Sequence, residues 1–87
     1  MSRTLRSPLH LALMKVLRET RLVAGLTQAD LAKRMDRPQS FVAKIEVGER
    51  QLGVVEFVSY AESLGVTPPE LLARIISDRQ SEGAVTV

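Results

Sequence analysis

Gln39, Ser40 and Lys44 place an amide, a hydroxyl and an ammonium group within six consecutive residues. If the segment is helical, Ser40 and Lys44 stand one turn apart with Gln39 beside them. Groups of this kind can recognise a partner by hydrogen bonding. A glutamine amide matches the adenine edge in the major groove of a duplex. A lysine ammonium matches O6 and N7 of guanine, and a serine hydroxyl bonds a base or a phosphate. Nothing of comparable strength points to catalysis. His10 is the single histidine, there is no cysteine, and no G-x-S-x-G nucleophile motif occurs. Ser63 and Tyr60 have no base beside them in sequence. The expectation is a protein that is not an enzyme and that holds no metal and no cofactor.

The composition bounds the partner. Phe41, Phe57 and Tyr60 are the only aromatic residues. A single-strand binder needs several exposed rings on which bases can stack, so a duplex gripped through its grooves is expected instead. The formal net charge is only +2, but residues 1–50 carry ten Lys/Arg against five Asp/Glu, and residues 51–87 carry two against five. A basic front half and an acidic back half suit a small domain with one polyanion-facing side, although solvated clusters arising by chance give the same tally. With 87 residues and no cysteine, the chain reads as one domain stabilised by packing and self-association. It has no run long enough to span a membrane and no clear secretory leader, so a cytoplasmic location is expected.

The elements that must hold these side chains are short and helical in period, punctuated at Gly25, Asp36-Arg37-Pro38, Gly48, Gly53, Gly65 and Pro68-Pro69. The first runs from about Pro8 to Ala24, capped by Ser7, with Leu9, Leu13, Val16, Leu17 and Ala24 as its inward stripe. The second starts at Thr27, with Asp30 completing a short capping box, and stops before Asp36. The third ends at Val47 and buries Val42 and Ile45. The fourth spans about Val54 to Leu64 with Val55, Val58, Ala61 and Leu64 inward. The fifth opens on Thr67-Pro68-Pro69-Glu70 and reaches about Ser77. Residues 1–7 are read as a flexible arm, 8–77 as the domain and 78–87 as a tail whose last four residues could pair as a strand. The second and third helices are separated by about three residues, which forces a steep crossing: the helix-turn-helix arrangement.

Three runs carry a resemblance. Thr27-Gln28-Ala29-Asp30-Leu31-Ala32, Gln39-Ser40-Phe41-Val42-Ala43-Lys44-Ile45-Glu46 and Gly48-Glu49-Arg50 together resemble the Cro/C1-type (XRE family) helix-turn-helix domain. Arg21 and the stretch Ala61 to Thr67 fit the same pattern, so the likeness covers about residues 10 to 76. It implies an all-α, five-helix, lambda-repressor-like domain that binds operator DNA as a two-fold dimer. It also implies roles. Gln39, Ser40 and Lys44 match base-contacting positions. Phe41 is placed beside them, against a thymine methyl or a sugar, with core packing as the alternative. Thr27, through its backbone amide, and Gln28 match phosphate anchors, Gln28 also buttressing the base-reading side chain, and Arg37, Arg50 and Gln51 are placed near phosphate. Arg21 and Glu46 match a buried ion pair between the first and third helices. Tyr60, Leu64, Leu72 and Ile76 are expected at the dimer interface.

The chain departs from the pattern at several points. Pro38 replaces a capping hydroxyl, Val47 a polar residue, Gly53 a capping residue, and Leu22 and Val23 polar positions. An exposed apolar patch on a small domain often marks a contact surface. The sequence therefore supports a dimeric, sequence-specific regulator of transcription, a repressor by expectation. The alternative is a protein-interaction adaptor or antitoxin-like protein that uses the same fold to hold a toxin or other partner.

Overall fold

The computed structural model describes the backbone of residues 7–85 and the side chains of residues 7–80. Five helices follow one another: α1 (Pro8–Val23), α2 (Gln28–Arg34), α3 (Gln39–Glu46), α4 (Val54–Leu64) and α5 (Pro68–Val85). No strand occurs among the described residues. The architecture is all-α, as expected. The arm assigned to residues 1–7 lies almost wholly outside the described residues.

Local chemistry explains most of the boundaries. Ser7 Oγ accepts from the His10 amide at 3.1 Å, and Pro8 follows it at the first helical position. Thr27 Oγ1 accepts from the Asp30 amide at 3.0 Å, while the Asp30 carboxylate accepts from the Thr27 amide at 3.0 Å. This reciprocal box satisfies two amides that the first turn of α2 would otherwise leave unbonded. Thr67 Oγ1 accepts from the Glu70 amide at the start of α5. α3 has no side-chain cap, because Pro38 stands where one would be. Its place is fixed by burial instead: Val42 and Ile45 are fully buried.

The turn between α2 and α3 rests on Asp36, which adopts φ 57° and is the one non-glycine residue with positive φ among those described. The left-handed conformation reverses the chain, and the Arg37 amide reaches back to the Ala32 carbonyl at 2.9 Å. Gly65 does the same at the end of α4, with φ 82°.

α1 packs along α5, and α2 packs on α3, with α3 also resting on α1 and α4 on α5. Leu17, Leu31, Val42, Ile45, Tyr60, Leu71 and Ile75 form the fully buried centre. Burial of each aliphatic side chain among them stabilises the fold by about 1.5–3 kcal/mol.

Four sequence expectations need correction. α5 does not stop near Ser77; its helix continues to Val85. That takes in much of the expected tail, because Arg79 to Val85 contains no proline to break a helix. The inward face of α1 is Ala12, Val16, Leu17, Thr20 and Arg21, whereas Leu9 and Ala24 are exposed. On α4, Val55 is 83% exposed and Val58 38%. Phe57, Tyr60, Ala61 and Leu64 hold the core side, since the two rings bury more apolar area than the valines would. Tyr60 and Leu64 are therefore core residues at 0% and 5% exposure, and neither is free to meet a second subunit.

Candidate nucleic-acid interface

Helices α2 and α3 hold the site, and α1 locks them together. Arg21 on α1 donates from Nε to Glu46 Oε2 at 2.7 Å and from Nη2 to Glu46 Oε1 at 3.0 Å. Its remaining terminal nitrogen donates to the Leu26 carbonyl at 2.8 Å. Both side chains of the pair are nearly sealed from solvent. The side-chain hydrogen bonds from Arg21 to Glu46, with the nearby carboxylate charge, raise the guanidinium above its usual pKa despite its burial. The fork-to-fork geometry fixes the end of α3 relative to α1.

Gln28 joins this network. Its Nε2 donates to Glu46 Oε1 at 3.0 Å, so α2 is tied to the same carboxylate. The sequence placed Gln28 on phosphate; the structure instead aims its amide nitrogen inward. Thr27 needs a similar correction, because its backbone amide is already engaged by Asp30. The two hydrogen bonds with Thr27 hold the Asp30 carboxyl below its ordinary pKa.

The reading face is open. Gln39, Ser40 and Lys44 are all exposed; Ser40 and Lys44 leave α3 opposite the buried Val42 and Ile45, and Gln39 stands at its first helical position. Phe41 differs from expectation. It is 5% exposed and belongs to the core cluster, so it is not free to lie against a base. It sits one turn before the buried Ile45 on α3, and burying the ring removes about as much apolar surface from water as a leucine would, or more.

What covers Phe41 is unexpected. The guanidinium of Arg37 lies over its ring at 4.5 Å from the centroid, and that of Arg50 at 4.6 Å. Each such contact is attractive because the ring face is electron-rich. Arg50 also forms a two-pronged pair with Glu56, Nη1 to Oε1 and Nη2 to Oε2, both at 2.9 Å. Arg37 Nη2 reaches Glu56 Oε2 at 3.3 Å. Glu56 Oε1 further accepts from the Gly53 amide at 3.1 Å, which caps α4 in place of the missing capping side chain. The Arg50 hydrogen bonds, then the Gly53 amide and the arginine charges, hold the Glu56 carboxyl at about 2.

Sequence reasoning placed Arg37 and Arg50 at the site but missed Glu56. Its signal was available as an acid three residues after Gly53, the capping-box spacing. Gln51 is exposed beside Arg50, and its carbonyl accepts from Arg50 Nη1 at 2.8 Å. Arg34 donates to the Ser63 carbonyl at 3.0 Å and ties α2 to the last turn of α4.

Two further groups of apolar residues are exposed. Leu22 and Val23 at the end of α1 are 53% and 89% exposed. Val54, Val55 and Val58 on α4 and Leu72 on α5 are also exposed, while Ile76 is half-buried. Among the described residues no helix is long and apolar enough to cross a membrane.

Comparison with known proteins gives a consistent result. A helix-turn-helix family model matches residues 17–71, which contain α2, the turn, α3 and α4. An XRE-family like protein from Pseudomonas syringae pv. tomato is 41% identical, with 86% of this chain and 92% of that chain covered and a TM-score of 0.78. The restriction-modification controller protein C.AhdI from Aeromonas hydrophila is 33% identical over 70% of this chain and 92% of its own, with a TM-score of 0.66. The clp gene regulator ClgR from Corynebacterium glutamicum shares the fold at a TM-score of 0.80, with 22% identity over 90% of this chain and 83% of that chain. No curated protein matches the chain.

Proposed function

This chain belongs to the XRE family of helix-turn-helix DNA-binding regulators, and from that premise we propose that it recognises a specific operator in duplex DNA as a two-fold dimer and represses transcription there. The observation that carries the reading is the exposure of Gln39, Ser40 and Lys44 on the outer side of α3, with the helix anchored from behind by Glu46. In this geometry α3 enters the major groove and α2 crosses the backbone. Gln39, Ser40 and Lys44 select the sequence. Arg37, Arg50 and Gln51 contribute contacts to phosphate, which make affinity depend steeply on salt. The reading is that of a regulator and not of an enzyme, acting where the genome is, in the cytoplasm.

The dimer face belongs on α4 and α5, as the sequence suggested, but on other residues. Val54, Val55 and Val58 with Leu72 present the exposed apolar surface that Tyr60 and Leu64 do not. A small domain gains stability by covering such a patch with a second copy.

A selection of bound duplexes from fragmented genomic DNA tests the reading. Enrichment of one motif with two related half-sites supports it. Retention of all fragments alike, or of none, removes it. A second reading has its own observation: Leu22 and Val23 are exposed apolar residues in the last turn of α1. A toxin or other protein partner seated there would make the chain an adaptor, and binding to duplex that is weak and indifferent to sequence would favour that role.

A further inference from the structure

Two arginines flanking the reading helix converge on one carboxylate and on the Phe41 ring of that helix, and that convergence has a consequence for DNA binding. We propose that Glu56 is a positioning residue: it holds Arg37 and Arg50 against the Phe41 ring, so that both guanidinium groups stand ready for the duplex backbone. The inference rests on the DNA-binding reading above and deepens it.

The geometry supports this in three ways. Arg37 comes from the turn before α3, Arg50 from the loop after it, and Glu56 from the first turn of α4. One side chain therefore joins segments on both sides of the reading helix. Both arginines contact the same oxygen, Glu56 Oε2, at 3.3 and 2.9 Å. Two cations brought that close repel each other unless an anion lies between them. The carboxylate supplies that anion, and the Phe41 ring attracts both guanidinium groups from beneath. Finally, the arginine side chains remain accessible, at 41% and 37% exposure, so each keeps N–H groups free to meet a phosphate.

A carboxylate near phosphates also repels them, and the two effects have opposite signs. Repulsion across an exposed surface is damped by salt within roughly 8 Å at physiological ionic strength. The direct Glu56–Arg50 contacts are too short to be damped much. Without Glu56, the two long side chains would have to be ordered when DNA binds, and that ordering weakens association. Positioning therefore outweighs repulsion, and loss of the acid should weaken binding even though it makes the protein more positive.

The test compares the full chain and Glu56→Gln on the duplex obtained by selection, with affinity read over a series of salt concentrations. Glutamine at this position still accepts from the Gly53 amide, so helix content and the melting midpoint near neutral pH report whether the fold is kept. The expected result is about tenfold weaker binding by Glu56→Gln, the effect of ordering two long side chains at the interface. In an Arg37→Ala/Arg50→Ala background the same change should no longer weaken binding, because Glu56 then has nothing to position and only its repulsion of phosphate is removed. Equal or tighter binding by Glu56→Gln overturns the proposal, as does weakening that persists when both arginines are absent. If Glu56→Gln fails to fold, Glu56→Asp replaces it: the shorter acid keeps the charge but not the reach. Parent-like binding by that variant overturns the proposal, and weakened binding supports it. If the parent chain ignores every duplex, the DNA-binding reading falls and this inference with it.

Discussion

Glu46 receives three hydrogen bonds from two different helices: two from Arg21 on α1 and one from Gln28 on α2, all at 2.7–3.0 Å. A single buried carboxylate at the end of α3 therefore fixes the reading helix against the body of the domain. Polar groups in a core are tolerated only when their hydrogen bonds are made, and here they are.

That arrangement makes each partner costly to remove. Arg21→Ala or Glu46→Ala should lower stability by about 3–5 kcal/mol, because the remaining charge is left buried without its counter-ion. Urea unfolding followed by circular dichroism measures it. Replacing both together by apolar residues of similar volume should recover much of the loss. Single variants as stable as the parent would show that the pair is not sealed from water.

The turn offers a change in the opposite direction. Asp36 holds φ 57°, a region that side chains bearing Cβ occupy at a cost and glycine does not. Asp36→Gly should raise stability by up to about 1 kcal/mol, aspartate being one of the residues that tolerate this region best. A rise in the melting midpoint checks it. A fall would mean that the carboxylate supports the turn in some other way.

Acid should weaken the fold through Glu56 and Asp30. The folded-state carboxyl of Glu56 is held at about 2, below its ordinary value of 4.5, mainly by Arg50 and the Gly53 amide. Its contribution to stability is therefore complete above pH 4.5 and is lost as pH falls from there to about 2. Asp30 is shifted in the same direction by its bonds to Thr27. A stability-against-pH curve for Glu56→Gln should be flatter than the parent curve over that window. Superimposable curves would exclude a Glu56 contribution.

The valines on α4 carry the next prediction. Val55→Glu together with Val58→Glu should abolish self-association and leave the fold intact, because Val55 is 83% exposed and Val58 lies beside it at 38%. Charges at surface positions outside the core alter stability by no more than about 0.5 kcal/mol. Sedimentation of parent and variant over a range of concentrations decides it. A variant that associates as the parent does would move the dimer face elsewhere.

Much of the fold was legible because its signals are local. Ser7, Thr27-Asp30 and Thr67-Glu70 act within one turn, and the structure shows all three caps. Arg21 and Glu46, 25 residues apart, were legible only through resemblance, since nothing local joins them. The register of α4 was not legible, because Val54, Val55, Phe57, Val58, Tyr60, Ala61 and Leu64 place apolar groups on nearly every side. Which of them turn inward depends on the size of the space between α2 and α5, and the two rings fill it. Phe41 was misread and Glu56 missed for a related reason. Each is defined by partners in other segments, Arg37 and Arg50, that meet only in the folded chain.

Gln39 and Lys44 bear the last prediction. Both are exposed on α3, and neither takes part in the Glu46 network or the Glu56 cluster. Removing either side chain should therefore leave stability unchanged and act on DNA recognition alone. Gln39→Ala and Lys44→Ala should each reduce discrimination between the selected operator and random duplex by about 1–3 kcal/mol, the energy of a lost base contact. A phosphate contact behaves differently: its loss weakens binding to every duplex about equally and reduces the salt slope by roughly one. Gel-shift titrations on operator and random duplex at several salt concentrations separate the two. If Lys44→Ala weakens both duplexes alike, Lys44 belongs with the phosphate contacts and Gln39 and Ser40 carry the sequence choice. If both variants discriminate as the parent does, the exposed face of α3 is not what reads the operator.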